Sequence, residues 1–327
     1  MSAPMPAAKR FAALGASLMA LAFAGHAQTY PVKPIRLIVP FAPGGNVDIT
    51  ARAIAPELAN ILGQQVIVEN KPGAGGAIGA NEVAKGPADG YTLLVGSNST
   101  VSVAPALYPK NPYNPVTDFA PISNLAQVPF VLVVHPSAPA QTLRDFIALA
   151  REKPGRYAMA SAGTGSSNHL VGELFQSSTG ASLTHIPYKG SGQAILDLVG
   201  GQVEVFFDQL TSAAPNIRSG KLRALAVSSA ARWPALPDVP TFAEAAIPAL
   251  VMTNVTGLLA PAGTPPEVIA KLHAAAVRAL AAPAVRERFT SLGVVPVGDR
   301  PEQFAAFIRE DFARWSKVVR DGNIKVE

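Results

Sequence analysis

The chain has 327 residues and not one cysteine. Disulfides, thiol nucleophiles and zinc–thiolate sites are therefore excluded, and burial of apolar side chains has to hold the fold. GxxxxGK(S/T), HExxH and GxSxG are also missing, which removes the phosphate loop, the helical zinc pair and the serine elbow as routes to catalysis. Charged residues make up only 15% of the chain and never gather into a Lys/Arg cluster. The net charge of +5 is thus too diffuse for a nucleic-acid groove. His135, His169, His185 and His273 are scattered among apolar neighbours, as structural histidines are, rather than grouped as metal ligands. Gly73-Ala74-Gly75-Gly76-Ala77-Ile78-Gly79 comes near a dinucleotide fingerprint, but its third glycine falls one residue late and no ribose-binding acid is evident. Ser166 and His169 share a helix face without a third member for a triad. No cofactor and no metal are expected.

What is present begins with an address. Lys9 and Arg10 precede an apolar stretch from Phe11 to Phe23, and Gly25-His26-Ala27 forms a small-x-small cleavage site. That order is a Sec signal peptide over residues 1–27, cleaved after Ala27, so the mature chain is expected in the periplasm. Loss of Lys9 and Arg10 leaves 25 basic against 22 acidic residues, a net charge of +3. About 300 mature residues suffice for two domains, each with its own core.

Beyond the signal, short β-rich runs alternate with amphipathic stretches, the pattern of an α/β fold with parallel sheets covered by helices. Strands are expected at Ile35–Val39, Gln65–Glu69 and Tyr91–Val95, with a helix from near Asn46 to Ile61 through Pro56 and another at Ala77–Lys85. A loop rich in Asn and Pro runs from Ser97 to Pro121. Phe130–Val134 opens a second series, with strands at Tyr157–Ala160, Leu183–Pro187, Val203–Phe207 and Leu222–Val227 between helices. The last part offers one strand, Gly257–Ala260, and three helices, too little for a third sheet, so it is expected to return over the first. The expected architecture is two mixed sheets covered by helices with a ligand cleft between them. Domain 1 would comprise 28–128 and 252–327, domain 2 129–251, with hinge crossings near Gln127–Pro129 and Ala249–Asn254.

Two corners stand out. Ile35–Val39 empties through Pro40-Phe41-Ala42-Pro43-Gly44-Gly45 into a helix, and Tyr157–Ala160 empties through Ser161-Ala162-Gly163-Thr164-Gly165-Ser166 into another. Glycines at such a corner let successive backbone N–H groups face one point, where the unsatisfied N–H groups of the helix start add positive potential. Two facing anion corners imply a receptor for an acid, in the cleft at the carboxyl ends of the strands.

The ordered set PFAPGGNVDITAR, ENKPGAGGAIGANEVAK, DGYTLLVGS, ASAGTGSSNHLVGELF, HIPYKGSGQAILDLVGGQVEVFFD, IRSGKLRALAVSS, LPDVPTFAEA and GLLAPAGTP resembles the Bug family, the TctC-like solute receptors of tripartite tricarboxylate transporters. The resemblance covers essentially all of the mature chain. It implies a Venus-flytrap fold, that of type II-like two-domain periplasmic binding proteins, and a monomeric receptor without enzymatic activity that closes on a carboxylate. Di- and tricarboxylates, acidic amino acids and aromatic acids all remain open as ligands. The partner it implies is a two-component membrane permease or a sensor, and a periplasmic enzyme on the same cleft is the remaining alternative.

By the same resemblance, the first carboxylate loop falls on Phe41, Ala42, Pro43, Gly44, Gly45 and Asp48. The second falls on Ser161, Gly163, Thr164, Gly165 and Ser166, and the domain-two wall on Tyr188 and Asp208. Asp48 either contacts ligand or only caps a helix, Tyr188 is equally an ordinary strand exit, and Asp208 equally a helix N-cap. Ser99-Thr100-Val101-Ser102-Val103-Ala104-Pro105 and Val255-Thr256 depart from the usual family pattern, so ligand identity does not transfer.

Overall fold

The computed structural model describes residues 30–108, 110–321 and 324; the expected signal peptide and its cleavage site lie outside them. The strands are β1 (Ile35–Val39), β2 (Val66–Asn70), β3 (Thr92–Ser97), β4 (Phe119–Val128), β5 (Phe130–Val134), β6 (Tyr157–Ser161), β7 (Leu183–Pro187), β8 (Val205–Gln209), β9 (Arg223–Val227), β10 (Asn254–Pro261) and β11 (Val295–Pro296). The helices used below are α1 (Asn46–Leu62), α2 (Ala77–Ala84), α3 (Ala104–Leu107), α4 (Leu143–Glu152), α5 (Ser167–Thr179), α6 (Ser191–Val199), α7 (Leu210–Arg218), α8 (Pro266–Ala281), α9 (Pro283–Ser291) and α10 (Pro301–Asp321). Apolar runs such as Phe130-Val131-Leu132-Val133-Val134, buried at every position, can only be strands covered on both faces.

Two mixed sheets result. The first has the order β11-β4-β10-β3-β1-β2, with β1 parallel to β2 and β3, and β10 antiparallel to β3 and β4. The second has the order β7-β6-β8-β5-β9, with β6 parallel to β7 and β8, and β5 antiparallel to β8 and β9. Alternation across the sheet separates neighbours: Phe206 packs with Ile195 and Leu210 on one face, Phe207 with Phe175 and Phe242 on the other. The chain passes from the first sheet to the second at Pro129, between β4 and β5, and returns between β9 and β10. Helices α8 and α10 lie on β4. The far end of α10 also reaches the second sheet, since Trp315 belongs to the apolar cluster around Phe146 and Phe175.

The expected loop from Ser97 to Pro121 is a correction. It holds a single π-helical turn, Ser99–Val103, that runs into α3, and its end opens β4, the longest strand of either sheet. Register shifts against β10 place extra residues in β4 near Ile122 and Leu125, and each bulge reverses the inward and outward alternation that marks a strand. The polar centre of β4 is satisfied from far away: Asp299 Oδ1 accepts the Asn124 N–H at 2.7 Å and the Asp299 carbonyl accepts the Ser123 hydroxyl at 2.8 Å. Asp299→Ala removes the acceptor of a buried N–H and is expected to lower unfolding free energy by about 1–3 kcal/mol, measured by urea denaturation at neutral pH. A change within error would show that β4 does not depend on this clamp.

Candidate functional site

The carboxyl ends of β1, β3, β6, β7 and β8 converge on one small cavity. Its lining comes from Phe41, Gly45, Asn46 and Val47 after β1, Ser97 and Ser99 at the end of β3, Ala162 and Asn168 after β6, Ser191 after β7, and Gln209 at the end of β8. Four helices, α1, α5, α6 and α7, begin at this wall. A helix cannot satisfy its own first N–H groups, and among the described residues no acceptor meets those of Gly45, Asn46 and Val47, nor those of Ser191, Gly192 and Asn168. No Lys or Arg lines the cavity. Its positive potential therefore comes from peptide dipoles and hydroxyls.

The first corner is a glycine turn braced from behind. Gly44 has φ +88°, a left-handed turn that favours glycine, and its N–H donates to Asp48 Oδ2 at 3.0 Å. Asp48 also accepts from Arg52 at 3.0 Å and from Asn70 at 2.9 Å. Its carboxylate is thus enclosed by its own lobe and holds the turn, with Asn70 reaching on to the Phe41 carbonyl.

In the second corner, the Ser161 hydroxyl bonds His185 Nε2 at 2.6 Å and accepts the Gly163 N–H at 3.1 Å. Ser166 caps α5 by accepting the His169 N–H, while Gly165 N–H donates to His169 Nδ1. The Thr164 carbonyl takes the Tyr108 hydroxyl at 3.0 Å. Of the anticipated residues only Phe41 and Gly45 line the cavity; Ala42, Pro43 and Gly44 form the turn beside it, and Ser161, Gly163, Thr164, Gly165 and Ser166 form the loop that carries Ala162 and Asn168 into it. The Tyr188 hydroxyl points instead to Asp197, at 2.8 Å. Asn46, Val47, Ser97, Ser99, Ala162, Asn168, Ser191 and Gln209 were not anticipated. The signal that marks most of them is position: each polar one stands at or beside the first residue of a helix that follows a strand.

Each corner touches a loop of the opposite sheet. Ala42 N–H donates to the Lys189 carbonyl at 3.0 Å, and Ser99 Oγ lies 2.9 Å from both Ser167 Oγ and Ser167 N. A Cβ at Gly192 would lie 2.1 Å from the Pro43 oxygen, and one at Gly75 would lie 2.8 Å from the Gly165 carbonyl carbon, so glycine is what permits this approach. The cavity measures about 20 Å³, room for a water but not for a dicarboxylate. A larger open groove of about 570 Å³, lined by Ala77, Ile78, Tyr108, Lys110 and Pro112 among others, is mostly apolar and holds one helix start, that of α2, where the cavity gathers four.

Beneath the cavity lies Asp208, fully buried at the end of β8. It is not the cap of α7, a place held by Gln209. Its carboxyl accepts from the Ser212 hydroxyl at 2.5 Å, more distantly from Asn168 Nδ2 at 3.4 Å, and from the Ser191 hydroxyl. No cation balances it there, and burial pushes its pKa up to about 7 despite those hydrogen bonds.

Comparison with known proteins gives one consistent result. Residues 50–324 match the family described as the tripartite tricarboxylate transporter family receptor, TctC. Protein BugT of Bordetella pertussis is 43% identical over 92% of this chain and 93% of its own. The periplasmic binding protein BugD superposes with a TM-score of 0.88 at 35% identity, over 91% of this chain and all of BugD. MatC from Rhodopseudomonas palustris, solved with malate bound, gives 0.86 at 38% identity over 89% of this chain and all of its own. An R. palustris protein solved with adipate gives 0.86 at 35% identity over 90% and 99%.

Asp208 carries a pH signature. With its folded pKa near 7 and an unfolded value near 3.9, the folded protein binds a proton that the unfolded chain has already released. Stability from this group is complete below about pH 4 and is lost as pH rises toward and through 7. Asp208→Asn is expected to remove that slope, gaining on the order of a few kcal/mol relative to the unaltered protein between pH 4 and 8. Denaturant melts of both proteins across that range check this; parallel pH profiles would contradict it.

Proposed function

Because this chain belongs to the tripartite tricarboxylate transporter family of receptors, a family of periplasmic binding proteins and not of enzymes, we propose that it captures a small carboxylate in the cavity between its sheets and presents it to a membrane permease. The observation that carries this reading is the convergence of four helix starts on one small cavity, three of them (α1, α5 and α6) bringing unpaired N–H groups, with no cation in its lining among the described residues. Relatives of the same fold were solved with malate and adipate, and a diacid offers one carboxylate to each sheet's corner. The protein works as a monomer, exported by a signal peptide cleaved after Ala27.

Entry requires motion, since the cavity is smaller than any such ligand. Residues 28–128 with 252–327 form one lobe and 129–251 the other, and the crossings near Pro129 and Val251 absorb the rotation. Ligand favours the closed arrangement by touching both lobes at once. Charge-assisted hydrogen bonds contribute about 1.5–3 kcal/mol each. A few of them support micromolar binding, near −8 kcal/mol, after the costs of association and closure.

Thermal melts with a panel of mono-, di- and tricarboxylates, acidic amino acids and aromatic acids test this directly. At a hundred times Kd the true ligand adds about 2.7 kcal/mol of stability, and it is recovered chemically unchanged. Gly45→Val is expected to abolish the shift: a Cβ there would already lie 3.4 Å from Ser191 Cβ, so its methyl groups enter the cavity and block closure. A folded Gly45→Val protein with full affinity, or no response to any acid, would sink the proposal.

A further inference from the structure

We propose that the cavity selects acids bearing a hydrogen-bond donor, a hydroxyl or an amine, on the carbon next to the carboxylate, and that Asn46 reads that donor. This rests on the carboxylate reading above and adds to it the chemical class of the ligand. Asn46 is the first residue of α1 and is 3% exposed. Its own N–H and that of Val47 belong to the unpaired set that faces the anion. Its side-chain nitrogen donates to Thr256 Oγ1 on β10 at 2.9 Å, while its Oδ1 meets no donor at all.

Of the other polar lining side chains, the Ser97 hydroxyl can donate as well as accept, and the rest are engaged. Ser99 bonds Ser167, Asn168 and Gln209 exchange amide hydrogen bonds, and the Ser191 hydroxyl donates to Asp208. Asn46 Oδ1 is thus the one lining side-chain oxygen that can only accept and has no donor. An ionised diacid such as succinate brings only acceptors to it and leaves it unsatisfied, whereas a donor on the carbon beside the carboxylate stands one bond from the group seated on the N–H of the same residue. A buried acceptor without a partner is a penalty that the donor-bearing acid removes.

The test uses acids that share a skeleton. Calorimetric titration of the protein with succinate, both enantiomers of malate and both enantiomers of aspartate varies only the second carbon, and adipate against 2-hydroxyadipate repeats the comparison at greater length. A substituted acid is expected to bind at least about tenfold tighter than its unsubstituted parent, and malate against aspartate tells hydroxyl from amine. In Asn46→Ala that ratio falls to within about threefold of unity. Thr256→Val, which keeps the oxygen but frees the amide to rotate, shrinks it as well and serves should Asn46→Ala fail to fold. Equal or tighter binding of both parents, or an unchanged ratio in the variants, would overturn the role of Asn46. Failure of every acid to bind is a different result, which overturns the carboxylate reading and this inference with it.

Discussion

The peptide groups at the start of an α-helix have no partner inside the helix, and this protein places four such starts around one point. Everything else in the site follows from that constraint. Parallel strands must end at the same edge of each sheet, so the turns after β1, β3, β6, β7 and β8 deliver their N–H groups to a common place. Fixed dipoles in a small cavity are able to hold an anion without the desolvation cost of a buried Lys or Arg. The polar and charged side chains near the corner serve that arrangement from outside: Arg52 and Asn70 hold Asp48, and Asp48 holds the Gly44 turn.

A second consequence concerns the contact between the sheets. Gly75, Gly190 and Gly192 bring backbone against backbone across the cleft, so the two halves meet through main-chain surfaces with few side chains to reorder. Ala42 to Lys189, Tyr108 to Thr164 and Ser99 to Ser167 are single hydrogen bonds of ordinary length. Each contributes about 1 kcal/mol net, an amount that a ligand bridging both corners can outweigh. Asp208 acts in the opposite sense. With its pKa raised by burial to about 7, it lies under the proposed anion site without adding a full opposing charge at neutral pH.

The buried strands were legible because Ile35–Val39 and Phe130–Val134 are apolar runs too short for anything else. The corners were legible because a glycine pair after such a strand has few other uses. The long strand β4 was not: Ser123 and Asn124 read as loop, and the two bulges that excuse them depend on β10 and on Asp299, more than a hundred residues away. The binding wall was half legible. Glycine marks the turn, but the side chains that face the cavity are the helix-start residues Asn46, Asn168 and Ser191 and the cap Gln209, types that a sequence uses equally for capping. Thr256, noted only as a departure from the family pattern, proves to be the anchor of Asn46.

The most direct measurement is a crystal structure of the protein with the acid that gives the largest thermal shift. A carboxylate oxygen within hydrogen-bond distance of the Asn46 and Val47 N–H groups, with no Lys or Arg in contact, is the expected result. A carboxylate paired with a cationic side chain, or seated in the groove beside Ile78, would contradict the reading of this site as one made from helix starts.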